Sequence, residues 1–296
     1  MKNGGRYVNP YTDFGFKKLF GSEPNKDLLI AFLNQLLPPH HQIKDLTYTT
    51  TEKLGLTVLN RGAVFDLYCV SRNGERFVVE MQQAKQNFFK DRTVYYASFP
   101  IQEQAVRGEE WNFKLSAVYL VGILDFVFAE DKDDNEVLHT VQLKDQRNRV
   151  FYDKLTFIYL EMPKFTKTEA ELKTAFDKWL YVLKHLPKLQ ERPVKLQERI
   201  FTKLFKIAEV ENFTREERMW YEKSLMVYWD LKNVMDTAVS DAKTKGEAEG
   251  KAEGKAEGRK EAMQSVAHLL LAEGKTPAYI AKLTGLNKKE IAALRQ

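Results

Sequence analysis

Apolar residues recur along this chain at two different periods, and the change between them divides it. In NKDLLIAFLNQLL (25–37), Leu28, Leu29, Phe32, Leu33, Leu36 and Leu37 fall three and four positions apart, the spacing of one helix face. Asn25 is placed to cap that helix, and Pro38-Pro39 stops it. Beyond the prolines the pattern tightens into short runs rich in Val, Ile, Phe and Tyr. Strands are predicted at about 43–50, 63–71, 76–83, 115–124 and 155–161, with a helical segment at about 86–107 among them. The run LSAVYLVGILDFVFA (115–129) is apolar at successive positions, which fits a strand buried on both faces. It falls short of the ~20 residues of a membrane-spanning helix and carries Asp125. Strands interrupted by helices predict an α/β (α+β) domain, a mixed central sheet with flanking helices.

From Thr168 the period becomes helical. TEAE (168–171) and TREE (214–217) both fit the S/T-x-x-E capping box, and each is expected to open an amphipathic run, the second continuing past Met235. Residues 246–258, GEAEGKAEGKAEG, repeat every four positions, which on a helix puts Glu249, Glu253 and Glu257 in one row and Lys251, Lys255 and Arg259 in another. Each glycine costs a helix ~1 kcal/mol relative to alanine, so the repeat is either a flexible charged linker or a helix that pairs with a copy of itself. In the tail, Ala281, Gly285 and Ile291 keep the small–Gly–apolar spacing of a helix-turn-helix, which a plain two-helix hairpin also satisfies. These textures divide the chain into a sheet-containing core (1–165), a helical extension packed on it (166–240), the charged repeat (241–260) and a small helical hairpin (261–296).

The hairpin predicted at 64–82, VFDLYCVSRNGERFVVEMQ, holds two acids inside apolar runs, Asp66 and Glu80. Loop length decides which side chains share a face. A two-residue loop over Asn73-Gly74 groups Phe65, Leu67 and Cys69 with Arg76, Val78, Glu80 and Gln82, leaving both faces mixed. A three-residue loop, Arg72-Asn73-Gly74 with Gly74 left-handed, makes one face wholly apolar: Phe65, Leu67, Cys69, Phe77, Val79 and Met81. A one-residue slip exchanges the faces, so the hydrophobic pattern selects the second register. It sets Asp66 opposite Glu80, with Cβ atoms ~4.5–5.5 Å apart, and puts Gln82 on the same side. Two carboxylates that close repel unless one is protonated or a cation lies between them. Arg76 or another basic residue at a solvated face is one such cation, and a divalent metal with few hard oxygen ligands is the other.

Composition narrows the classes. Of 296 residues, 44% are hydrophobic and 29% charged, an ordinary globular balance. Lys and Arg exceed Asp and Glu by 46 to 41, and the resulting +5 permits a polyanionic partner without requiring one. The single cysteine, Cys69, excludes an internal disulfide, zinc knuckles and CxxC redox motifs. MKNGGRYVNPYTDFGF has no apolar stretch of the signal-peptide kind, so a cytoplasmic protein with no membrane partner is expected.

A strand Asp, a hairpin, then Glu-x-Gln on the next strand resembles the PD-(D/E)XK nuclease superfamily. More narrowly, YTDFGFKKLFG (11–21), FDLYCVSRNGERFVVEMQ (65–82), FFKDRTVYYAS (88–98) and LTFIYLEMPKF (155–165) resemble the recombination-promoting nuclease/putative transposase family, over about residues 6–240. The resemblance implies a restriction-endonuclease-like core that cleaves DNA phosphodiesters with Mg²⁺ or Mn²⁺, no small-molecule cofactor, and a role in recombination or transposition. Asp66 and Glu80 take the place of the metal ligands. Gln82 stands where the superfamily usually has Lys, a departure that removes a positive charge from the scissile phosphate. Lys85, three residues on, either projects into the site or is a solvated surface lysine. Asp13 either adds an acidic ligand or caps the first helix. Arg92 and Tyr96 share a helix face, where Arg92 either clamps a phosphate or ion-pairs with Glu80 or Asp66. Phe88, Phe89 and Tyr95 are expected in the core. The C-terminal helices would add DNA affinity, with Lys288 and Lys289 as candidate contacts, or pair two copies into a dimer able to cut both strands.

Overall fold

Thr12 opens the first helix, α1 (Asp13–Phe20), by accepting the Gly15 amide on its side chain at 3.0 Å, and Phe16, Leu19 and Phe20 bury its inner face. The computed structural model describes residues 5–53, 63–105 and 112–294, in two compact units that divide between Lys232 and Asn233. The next helix, α2 (Lys26–Leu33), buries Leu28, Leu29, Phe32 and Leu33. Asn25 occupies its cap position without capping it. The Asn25 amide donates instead to the Lys18 carbonyl at 3.0 Å and ties α2 to α1. The helix also ends earlier than the apolar spacing predicts, because the Asn34 side chain leaves the helix to bond both backbone groups of Ile43.

The strands follow: β1 (Leu46–Tyr48), β2 (Glu52–Lys53), β3 (Ala63–Val64), β4 (Leu67–Ser71) and β5 (Arg76–Gln82), then α3 (Phe89–Gln102), β6 (Val118–Leu124), β7 (Leu138–Lys144) and β8 (Val150–Glu161). Six of them form one mixed sheet in the order β1-β4-β5-β6-β8-β7, with β6 parallel to both β5 and β8 and the other pairs antiparallel. Every residue of β6 is buried. Tyr119, Val121 and Ile123 enter a core with α1, α2 and the later helices, while Val118, Leu120 and Leu124 enter a second core under α3. Two-sided burial is why this strand reads as unbroken apolar sequence. β7 and the first half of β8 are largely exposed, lack alternation and escape a pattern search.

The β4–β5 hairpin pairs Leu67 with Val79, Tyr68 with Val78, Cys69 with Phe77 and Val70 with Arg76, with Gly74 left-handed at φ +87°. This is the three-residue-loop register. One member of the expected apolar face departs from it: Phe65 packs with Tyr68, Tyr96 and Phe99 in the second core. The chain turns at Asp66 on leaving the β2–β3 pair, where the Phe65 amide still bonds Thr51, so strict alternation fails there. The second sheet face is covered by α3 rather than solvated. Of the three aromatics expected inside, only Phe89 is buried; the Phe88 and Tyr95 rings are exposed.

Past the sheet, the Thr168–Glu171 box closes a single 3₁₀ turn (Glu169–Glu171). A further box, Thr174 with Asp177, opens α4 (Ala175–His185), whose Trp179 packs on Phe20, Phe32 and Phe201. Phe201 belongs to α5 (Arg199–Ala208). Thr214 and Glu217 cap each other's backbone and open α6 (Arg215–Ala272), which is helical through the charged repeat. In the C-terminal unit, α7 (Pro277–Thr284) and α8 (Lys288–Ala293) are joined through Gly285. They are not a hairpin alone: Ile280, Leu286 and Ile291 close on Ala267 near the end of α6.

Candidate active site

The β4–β5 ladder stops at Leu67–Val79, and at the next step side chains replace it. The Asp66 amide donates to Glu80 Oε1 at 3.3 Å, and the Met81 amide donates to Asp66 Oδ2 at 2.7 Å. The two acids are thereby held side by side at the end of the hairpin, on backbone groups that the corner at Asp66 releases. Glu80 is only 5% exposed. Burial raises both carboxyls. For Glu80, burial and then the neighbouring Asp66 push it up to about 8. The pair therefore holds less negative charge near neutrality than two free carboxylates and gains most from a cation.

Arg92, on α3, is the cation paired with Glu80. Its Nη2 lies 3.7 Å from Glu80 Oε2 and donates to Gln82 Oε1 at 2.5 Å, while Nη1 donates to Gln86 Oε1. Gln82 Nε2 donates to the Ala84 carbonyl at 3.0 Å, so both ends of that amide are fixed. The Arg92 guanidinium also lies 5.2 Å from the Phe89 ring and 5.4 Å from the Tyr96 ring. Its Nε is buried and has no hydrogen-bond partner among the described residues. Burial raises the Tyr96 hydroxyl and Arg92 opposes the shift. Arg76 does not reach the pair; it folds back onto the Gly74 carbonyl at 2.9 Å.

Asp66, Glu80, Gln82, Arg92 and Tyr96 thus come together. Asp13 lies at the margin, exposed and paired with Lys17 at 2.6 Å, and the charges of both are felt at Asp66. Thr12, not Asp13, caps α1. Lys85 is exposed and lines a separate hollow with Phe128 and Glu130. Lys288 and Lys289 are exposed in the first turn of α8, in the other unit. Sequence reasoning missed Gln86, which helps hold Arg92, and Gln83, whose amide donates to the Tyr11 carbonyl and fastens the end of β5 to the segment before α1. The clustering of Gln82, Gln83 and Gln86 just past a strand was the available signal.

A second acidic grouping, Asp131, His139 and Glu161, brings ligand atoms within 4.8 Å of one another. Glu161 is fully buried, yet the Phe128 amide (2.6 Å), Lys164 Nζ (2.7 Å) and His139 Nε2 (3.2 Å) already surround it. An ammonium in contact compensates that carboxylate, whereas the ion pair made by Asp66–Glu80 among the described residues is with a guanidinium 3.7 Å from Glu80. Paired oxygen ligands raised by burial suit a hard divalent ion, and of the two groupings the hairpin pair fits it better. Among the described residues, no helix is long and apolar enough to cross a membrane.

No curated protein and no solved structure matches the chain at a significant level. The sequence profile of the PD-(D/E)XK nuclease family transposase does, over residues 10–238. That span is well over half of the chain and takes in the hairpin, both acids, Gln82 and α3, and the chain belongs to this family.

Proposed function

We propose that the chain is a metal-dependent endonuclease that hydrolyses DNA phosphodiesters and serves recombination or transposition in the cytoplasm. The observation that carries this reading is the pairing of half-buried Asp66 with buried Glu80, both backbone-bonded and raised above the ordinary carboxyl range. Asp66 and Glu80 would hold the ion. Bound there, Mg²⁺ or Mn²⁺ supplies Lewis-acid polarisation of the phosphate and eases ionisation of a water. The chain's own residues do the rest. Arg92, fixed between Gln82 and Gln86, brings a positive charge to the place where the superfamily's lysine is missing and meets the phosphate oxygens as charge builds on them. Gln82 orients Arg92 through its oxygen. Glu80 would have to be deprotonated to hold the ion, so metal affinity is expected to rise with pH through about 8.

Plasmid nicking in Mg²⁺ tests the reading. Asp66→Ala is expected to lower the rate at least about a hundred-fold, and EDTA to abolish it in the wild type. Nicking by Asp66→Ala at the wild-type rate would remove the mechanism. Glutamine at position 82 favours a second reading, a nuclease-like DNA-binding or interaction protein without catalysis. Calorimetric titration separates the two, since a working site binds Mg²⁺ or Mn²⁺ and the Asp66→Ala variant loses that heat.

A further inference from the structure

Beside the acid pair, α1 and the first turns of α6 form an open hollow of about 310 Å³ whose lining includes Phe14, Lys17, Trp220, Lys223 and Val227. Its wall is a fixed surface. The Ser224 hydroxyl accepts the Phe14 amide at 3.1 Å, and Lys18 pairs with Glu217, so the two helices are tied on both sides of it. The wall is also apolar and open to solvent: Trp220 is 49% exposed and Val227 63%.

The rim is cationic. Lys223 Nζ lies 5.5 Å from the Trp220 ring centroid, and Lys17 stands on the α1 side. Asp13 also lines the hollow and pairs with Lys17 at 2.6 Å, so those two charges offset each other and Lys223 is the net cation of the lining. The hollow stands on α1, and the segment leading into α1 is fastened to the end of β5, the strand of Glu80, by the bond from the Gln83 amide to the Tyr11 carbonyl. An exposed aromatic ring with a lysine against it, on the helix pair next to the candidate centre, matches a strand of nucleic acid in which one base stacks while a flanking phosphate meets the cation. A base inside a duplex has both faces covered by its neighbours and cannot reach such a plate.

The geometry points to a stacking subsite for one unpaired base on Trp220, with Lys223 on an adjoining phosphate, so that the preferred substrate is DNA single-stranded beside the scissile bond. This inference rests on the nuclease reading for its choice of polyanion, and its test needs no cleavage. A fluorescently labelled short single strand and the matching duplex are titrated, in EDTA, with full-length wild type, Trp220→Ala, Trp220→Phe and Trp229→Ala. Trp220→Ala is expected to weaken single-strand binding about ten-fold and duplex binding less than about two-fold. Trp220→Phe, which keeps a ring, should recover most of the loss. Trp229, exposed on the same helix but outside the hollow, should be silent when replaced. Unchanged single-strand binding by Trp220→Ala, an equal loss on both substrates, or a Trp220→Phe loss as large as that of alanine would each overturn the subsite. A wild type that binds in this way yet cuts nothing in Mg²⁺ would instead overturn the nuclease reading alone.

Discussion

Glu80 shows how a residue can be costly to the fold and useful to the site. Its ordinary carboxyl titrates near 4.5, and in the folded chain burial and Asp66 push it up to about 8. Between those two values the folded state holds a proton that the unfolded chain has released. The sign follows: the contribution of this group to stability is fully present on the acid side and is lost as pH rises through about 8. Thermal melts in EDTA are therefore expected to fall from about pH 5 to about pH 9, and added Mg²⁺ should restore much of the loss at the alkaline end. Glu80→Gln, which cannot ionise, should flatten that slope and be more stable than the metal-free wild type by on the order of 2 kcal/mol at high pH, while abolishing nicking. An unchanged slope in the variant would assign the pH dependence to other groups. At this scale the pairing of the two acids was legible, because turn length and face polarity together fix the register. Phe65 was not, since nothing in the residues around Asp66 announces that the chain turns there. The bond from Gln82 to Arg92 was not legible either; it depends on where α3 crosses the sheet.

Elements position the site through one helix. α3 carries Arg92 and Tyr96, and it is held to the sheet where the Thr93 and Tyr159 hydroxyls meet at 2.7 Å. Tyr159 lies beside Gly122, which in turn pairs with Glu80 on the neighbouring strand. A methyl group at 122 would stand 3.1 Å from Tyr159 Cδ1, so the ring must give by a few tenths of an ångström. Gly122→Ala is expected to cost about 1–2 kcal/mol in denaturant midpoint and, by moving Tyr159 and the helix it holds, to lower nicking more than stability alone accounts for. Equal activity per folded molecule would show that α3 is not steered from β8. In α6, by contrast, a Cβ at Gly246, Gly250, Gly254 or Gly258 meets nothing within 4 Å. Alanine at each should raise local helix stability by roughly 1 kcal/mol, read as slower amide exchange across the repeat. β6, with its two-sided burial, and the start of α6 at Thr214 were readable from residues, whereas the box at Thr168 closes only a 3₁₀ turn and α4 opens at Thr174 instead. β7 was not, because an exposed edge strand is held by backbone bonds to β8 and leaves little mark on side-chain pattern.

Over the whole molecule, the two units differ in what holds them. The unit ending at Lys232 closes two large cores on either side of the sheet and contains every group drawn into the acid site. The unit from Asn233 rests on a small cluster, Ala267, Ile280, Leu286 and Ile291, and puts Lys288 and Lys289 in solvent at the start of α8. Cleavage and any help from the tail in binding should therefore separate physically. A chain ending at Lys232 is expected to fold, by its far-ultraviolet circular dichroism and a cooperative melt, and to keep Mg²⁺-dependent nicking at saturating DNA. If the tail meets phosphates, the same truncation weakens DNA binding at low salt, and its plot of log affinity against log salt becomes shallower by about one for each phosphate that the tail had neutralised. Lys288→Ala with Lys289→Ala in the full chain would then reproduce up to about two units of that change without touching the melt of the first unit. A slope identical in all three proteins would place the whole electrostatic footprint on the unit that holds the acids and make the tail a device for assembly, which the mass of the full and truncated chains in solution would then have to show.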